Sequence, residues 1–165
     1  MKYNEDEINR LYHENLTEAK QRLSLLTVAE GRNPNFRGLN GWVFEQTIRH
    51  CLSEELMEFG QYPTVEDQVP LYGRVKIDML IGKIAIEVKG AGSFGKADDK
   101  KYSDYRVKVE EKGWIYYYVS GIETYSPYRR ATKSTFGRER TFFLDTEGEW
   151  QRFVKAVADN CGGKT

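Results

Sequence analysis

The chain of 165 residues predicts an α/β fold, a mixed central β-sheet flanked by helices. Three observations lead there. Two long stretches near the amino end repeat apolar residues at helical spacing. Three short strand-like runs follow, separated by Pro, Gly and charged turn residues. A charged helical stretch then links the last of these runs to a further strand. A crossover of that kind places neighbouring strands parallel, so the sheet is mixed, with helices on both sides.

The elements follow in order. Residues 3–30 form a helix, because Ile8, Leu11, Tyr12, Leu16, Ala19, Leu23 and Leu26 recur at threes and fours. That face packs on a core or on a partner, and Gly31-Arg32-Asn33-Pro34 stops the helix. Residues 39–59 form a second helix, ended by Gly60, with Trp42, Phe44, Ile48, Cys51, Leu52, Leu56 and Phe59 on one broad face. Glu45 falls inside that face, and a carboxylate among apolar neighbours needs a partner. Residues 66–72, 74–81 and 83–89 read as three strands. Residues 96–112 read as a helix with Tyr102, Tyr105 and Val109 on one side, ended by Gly113. Residues 114–119, aromatic and β-branched, make a strand. Residues 122–140 hold no long apolar pattern and read as a loop. Residues 141–144 are a further strand, and 147–159 a closing helix with Trp150, Phe153, Val154 and Val157 inward. One domain covers residues 1–165, with 1–35 as an amino-terminal helical extension, 36–160 as the core and 161–165 as a frayed tail.

Lys and Arg together number 25, as do Asp and Glu, so the formal net charge is zero. This excludes a uniformly basic binder of nucleic acid. It does not exclude one whose acids and bases occupy different places. Cys51 and Cys161 lie too far apart in sequence for a metal-binding pair and make no disulfide framework. The acidic amino end lacks the apolar core of a secretory signal, so the cytoplasm is expected. No apolar run approaches the ~20 residues that span a bilayer. His13 and His50 are isolated and receive no role.

The chemistry concentrates in residues 75–89. Gly82-Lys83 suits a two-residue hairpin turn with Gly first. That turn sets Ile81 opposite Ile84, Met79 opposite Ile86 and Asp78 opposite Glu87. Alternation then puts Ile77, Met79, Ile81, Ile84, Ile86 and Val88 on one face. Lys76, Asp78, Leu80, Ala85, Glu87 and Lys89 take the other. Two carboxylates directly opposite repel. A divalent cation with oxygen ligands, such as Mg²⁺, offsets that repulsion. So does a solvated checkerboard in which Lys76 and Lys89 neutralise the acids. Leu80 and Ala85 favour a partly covered face. The small residues of 90–95 allow a backbone or ligand to come close.

Ile77-Asp78, an eight-residue spacer and Glu87-Val88-Lys89 resemble the motif of the PD-(D/E)XK nuclease superfamily, with Ile77 in place of the motif's proline. The resemblance covers roughly residues 39–119 in element order. It implies a restriction-endonuclease-like core (αβββαβ), here with the extra amino-terminal helix, and hydrolysis of phosphodiester bonds in DNA. It does not separate restriction-type, junction-resolving and homing-type enzymes. By the same resemblance Asp78, Glu87 and the Val88 carbonyl bind Mg²⁺, for which Mn²⁺ substitutes. Lys89 orients or deprotonates the attacking water, and Glu45 binds a second metal or its water. Pairing of Glu45 with Arg49, one turn on, is the structural alternative.

Two basic regions are candidates for DNA contact. Residues 125–140 hold five basic side chains and one acid, a local charge of +4, carried by Arg129, Arg130, Lys133, Arg138 and Arg140. Aromatic and hydroxyl side chains interleave with them, a composition that suits phosphate and unpaired bases. An ordinary solvated loop has the same composition. The 96–112 helix balances six bases against five acids, as a solvated face does, although Lys100 and Lys101 lie near the hairpin. Two functions follow: a Mg²⁺-dependent DNA endonuclease, or a catalytically inactive nucleic-acid-binding module or subunit with the same fold. A lone domain has one active site and nicks one strand. Cutting both strands calls for a homodimer or a partner subunit.

Overall fold

The computed structural model describes residues 1–90, 94, 96–121 and 126–161, with the backbone alone for Ser126 and Pro127. Most of the small-residue stretch 90–95, Tyr125 and most of the 161–165 tail therefore lie outside the described residues.

The elements are α1 (Glu5–Ala29), α2 (Leu39–Glu58), β1 (Val65–Tyr72), β2 (Val75–Ile81), β3 (Ile84–Lys89), α3 (Lys96–Glu111), β4 (Ile115–Ser120), α4 (Ser126–Phe136), β5 (Thr141–Phe143) and α5 (Glu149–Asn160). The five strands form one open sheet in sequence order. β2 runs antiparallel to both β1 and β3, whereas β4 is parallel to β3 and β5 is parallel to β4. The expected α/β class and mixed sheet are thus present. The hairpin register is as expected from Gly82, with Ile81 opposite Ile84 and Met79 opposite Ile86. Gly82 has φ +58°, and a Cβ there would lie 2.0 Å from the Cys161 carbonyl oxygen. Only glycine lets the backbone at Cys161 pass so close to the turn.

Two cores flank the sheet. One holds Ile8, Tyr12 and Leu16 of α1, Phe44, Ile48, Cys51, Leu52 and Leu56 of α2, and Trp150, Phe153, Val154 and Val157 of α5, packed on Met79, Ile81, Ile84, Ile86 and Val88. The other lies under α3 and α4, where Tyr102, Val109 and Phe136 meet Leu80, Ala85, Tyr116 and Tyr118. Only the amino-terminal part of the α1 stripe reaches the core, since Leu26 is 63% exposed. Trp42 and Phe59, expected on the buried face of α2, are exposed, because they flank the stripe that meets the sheet.

Within residues 122–140, expected to be a loop from their lack of an apolar pattern, Ser126–Phe136 form α4. β4 and β5 are parallel, so the chain between them must cross over, and α4 makes the crossing. Its inward face uses threonine where leucine is usual. Thr132, Thr135 and Phe136 are buried. The Thr132 and Thr135 hydroxyls donate back to the Tyr128 and Ala131 carbonyls at 2.7 and 3.0 Å. Their oxygens are thereby satisfied and their methyl groups face inward. Tyr128, Ala131, Thr132, Thr135 and Phe136 do fall at i, i+3, i+4, i+7 and i+8, a helical spacing hidden by its polar members.

Candidate active site

The site forms where β2 and β3 part. Their pairing covers Met79–Ile86, Leu80–Ala85 and Ile81–Ile84. Asp78 and Glu87 come next outward. There the Asp78 side chain replaces a ladder bond, its Oδ2 accepting the Val88 N–H at 2.9 Å. On the other side of β2, Asp67 pairs with Met79 and Val69 with Ile77, which brackets Gln68 opposite Asp78. Gln68 has φ +48°, the one positive value outside glycine among the described residues. The alternation slips at this point. Ile77, expected on the face of Met79, packs instead in the α3-side core with Leu80 and Ala85.

Three acids converge on the fork. Glu87 is held by two tyrosines, Tyr116 Oη donating to Oε2 at 3.0 Å and Tyr102 Oη to Oε1 at 3.4 Å. Burial first, and the neighbouring Asp78 charge second, raise the Glu87 carboxyl well above the ordinary carboxylate range. Asp78 is raised too, by burial, against the Val88 N–H and hydrogen bonds from Glu87 and Gln68 that favour its anion. Glu45 of α2, 8% exposed, reaches the fork from the other side of the sheet. Burial and then the Asp78 charge push its carboxyl up to about 7. Asp78 thus acts on the charge of both Glu87 and Glu45, and Glu87 shares a hydrogen bond with Asp78.

Glu45's direct partner is Gln68, whose Nε2 donates to Oε1 at 3.0 Å. Arg49, the alternative partner, pairs with Asp67 and donates to the Val65 carbonyl at 3.2 Å, tying α2 to β1. Its charge still favours the Glu45 anion slightly. Lys89 lies on the α3 side with Glu87. Its Nζ sits 5.4 Å from the centre of the Tyr102 ring, the same tyrosine whose hydroxyl reaches Glu87. Asp98 is its carboxylate neighbour at 3.9 Å. Lys101 stands over Tyr102 at 4.9 Å, and its charge acts on both Asp78 and Glu87. Lys76 is exposed at the strand's outer end. Asp78 and Glu87 are thus half-buried, with Lys89 and not Lys76 acting on Glu87.

The basic segment is dispersed. Arg129 pairs with Asp145 and stacks on Phe143, and Lys133 lies over the same ring. Arg140 faces Glu110 of α3 at 3.7 Å. Arg130 and Arg138 are exposed, as are Lys100 and Lys101. Of the candidate DNA contacts, Lys101 is the one whose charge is felt by the acids of the fork.

Three residues of the site escape a reading of the sequence. Tyr102 and Tyr116 carry a signal: alternate tyrosines on the strand beside the hairpin, and an inward tyrosine on the crossover helix, can reach its acid face. Gln68 carries none, because a glutamine inside a strand gives no hint of a left-handed backbone.

Among the described residues, no three His, Cys, Asp or Glu side chains close around one point as a finished metal site. The chemistry of the donors nevertheless fits a hard divalent cation. Glu45, Asp78, Glu87 and the Val88 carbonyl offer oxygen only, and the acids are three negative groups competing for protons. A cation of this kind, if bound, would take the place of those protons. No helix among the described residues is long and apolar enough to cross a membrane. No known family, curated protein or solved structure matches the chain.

Proposed function

We propose that the chain is a Mg²⁺-dependent endonuclease that hydrolyses phosphodiester bonds of DNA. The observation that carries this reading is the fork: Asp78 and Glu87 in mutual contact, Glu45 coupled to them, and Lys89 sharing Tyr102 with Glu87. It joins the resemblance of residues 77–89 to the PD-(D/E)XK motif.

Asp78, Glu87 and the Val88 carbonyl would hold Mg²⁺ or Mn²⁺, which when bound polarises the scissile phosphate and lowers the pKa of a water. The protein's own groups do the rest. Tyr116 and Tyr102 fix the Glu87 carboxylate. The Val88 N–H fixes Asp78. Lys89 orients the attacking water and counters the charge that develops on the phosphate. Glu45, which burial and the Asp78 charge push up to about 7, would bind a second metal or a metal-bound water, as the resemblance implies. Lys101, exposed beside the acids, meets the DNA backbone. A homodimer or partner subunit supplies the second cut where both strands are broken.

A module that binds without cleaving rests on the basic segment, and Arg129 and Arg140 of that segment face Asp145 and Glu110. The test is a cleavage panel of linear, single-stranded and four-way-junction DNA with Mg²⁺. Cutting of at least one substrate, lost in Lys89→Ala, supports the assignment. Undiminished cutting by Lys89→Ala overturns the mechanism, and binding without cutting favours the module.

A further inference from the structure

Gln68 is a strand residue with a backbone conformation that strands do not use. Its φ of +48° lies in the left-handed region, which a non-glycine residue occupies only when its surroundings hold it there. Its neighbours Asp67 and Val69 pair with Met79 and Ile77, so the bend falls at the residue opposite Asp78. A glycine would take this bend without strain. What glutamine adds is its amide.

That amide donates to Glu45 at 3.0 Å, and Gln68 stands opposite Asp78 in the β1–β2 ladder. A side-chain amide carries two N–H groups on one nitrogen, enough for two carboxylates. It is neutral, which distinguishes it from the other side chains that could stand there. A lysine or arginine would neutralise the acids in place of a cation, and a carboxylate would add to their repulsion. We propose that Gln68 is a positioning residue of the metal site, its amide holding the Glu45 and Asp78 carboxylates across the gap between α2 and β2 so that their other oxygens face one divalent cation. This rests on the nuclease reading, and it gives the distorted backbone a purpose: the bend aims the amide at two acids that belong to different layers.

The experiment is a calorimetric titration of the full chain with Mn²⁺, beside Gln68→Gly and Gln68→Met, with thermal melts to establish that each variant folds. Gly relieves the backbone and Met does not, and both lack the amide. The expected result is cooperative melting of both variants with Mn²⁺ affinity reduced at least about tenfold in each, as when groups that orient metal ligands are removed. In cleavage assays, excess Mn²⁺ then restores kcat while the KM for DNA stays unchanged. Gln68→Gly binding Mn²⁺ as well as the unsubstituted chain, or better, overturns the role of the amide and leaves the nuclease reading standing. An unsubstituted chain that binds no Mn²⁺ overturns the nuclease reading and this inference with it.

Discussion

Replacing Glu45 with glutamine should make the metal-free chain more stable at pH 8 and leave it unchanged at pH 4.5. The Glu45 carboxyl titrates at about 7 in the folded chain against an ordinary value of 4.5. The folded chain therefore holds this proton more tightly than the unfolded chain does. The stability that follows is fully present below about 4.5 and is lost as the pH rises through about 7. At 1.36 kcal/mol per unit of pKa, the loss at pH 8 is about 3 kcal/mol. That is a large part of the ~5–15 kcal/mol that holds a domain together. Glu45 is 8% exposed, so water screens little of it. The substituted amide is uncharged at every pH and keeps a carbonyl oxygen for Gln68. In melts with EDTA from pH 4.5 to 8.5, the Glu45→Gln variant should pull ahead of the unsubstituted chain by about 6–12 °C at the top of the range. Mg²⁺ should recover most of that difference for the unsubstituted chain. Two melting curves that stay parallel across the range would overturn this, since burial and the Asp78 charge would then not raise the Glu45 carboxyl in the folded chain.

Three further outcomes are expected. Mn²⁺ binding at pH 7 should release protons, because Glu87, raised well above the ordinary range, and Glu45, raised to about 7, must ionise to bind, and calorimetry in buffers of different ionisation enthalpy reads the number. Gly121→Ala should cost about 2 kcal/mol in urea unfolding, since a Cβ at 121 would lie 2.2 Å from the buried Phe44 ring that seats α2 against the sheet. Glu55→Ala should cost about 3 kcal/mol by the same measurement, because the fully buried Glu55 accepts the Lys2 N–H at 2.7 Å and the Trp150 Nε1–H at 3.1 Å, and Glu55→Gln, which keeps one acceptor, should cost less.

The parts of the fold that were legible share a cause. Gly82 and the alternation beside it specify one register, and Trp150, Phe153, Val154 and Val157 at helical spacing specify one buried face. Both signals are local. What was hidden depends on partners distant in sequence. α4 went unread because threonines make its inner face, and only the parallel β4–β5 pairing requires a crossover there. Ile77 packs on the α3 side, where β2 loses its alternation opposite the bend at Gln68 on another strand. Of the candidate site, Asp78, Glu87, Lys89 and Glu45 were each legible, the last from a carboxylate inside an apolar stripe. Its anchors were not: Gln68, Tyr102 and Tyr116 reach the acids from β1, α3 and β4. Two ion pairs of the basic segment were hidden for the same reason, since Asp145 and Glu110, which pair with Arg129 and Arg140, lie outside it.

The central claim is that the acids of the fork hold a cation that cleaves DNA. Supercoiled plasmid incubated with the unsubstituted chain and with Glu87→Ala, in Mg²⁺ and in EDTA, tests it most directly. Conversion to nicked or linear plasmid is expected only with the unsubstituted chain and only in Mg²⁺. Equal cleavage by Glu87→Ala, or cleavage that persists in EDTA, would contradict it.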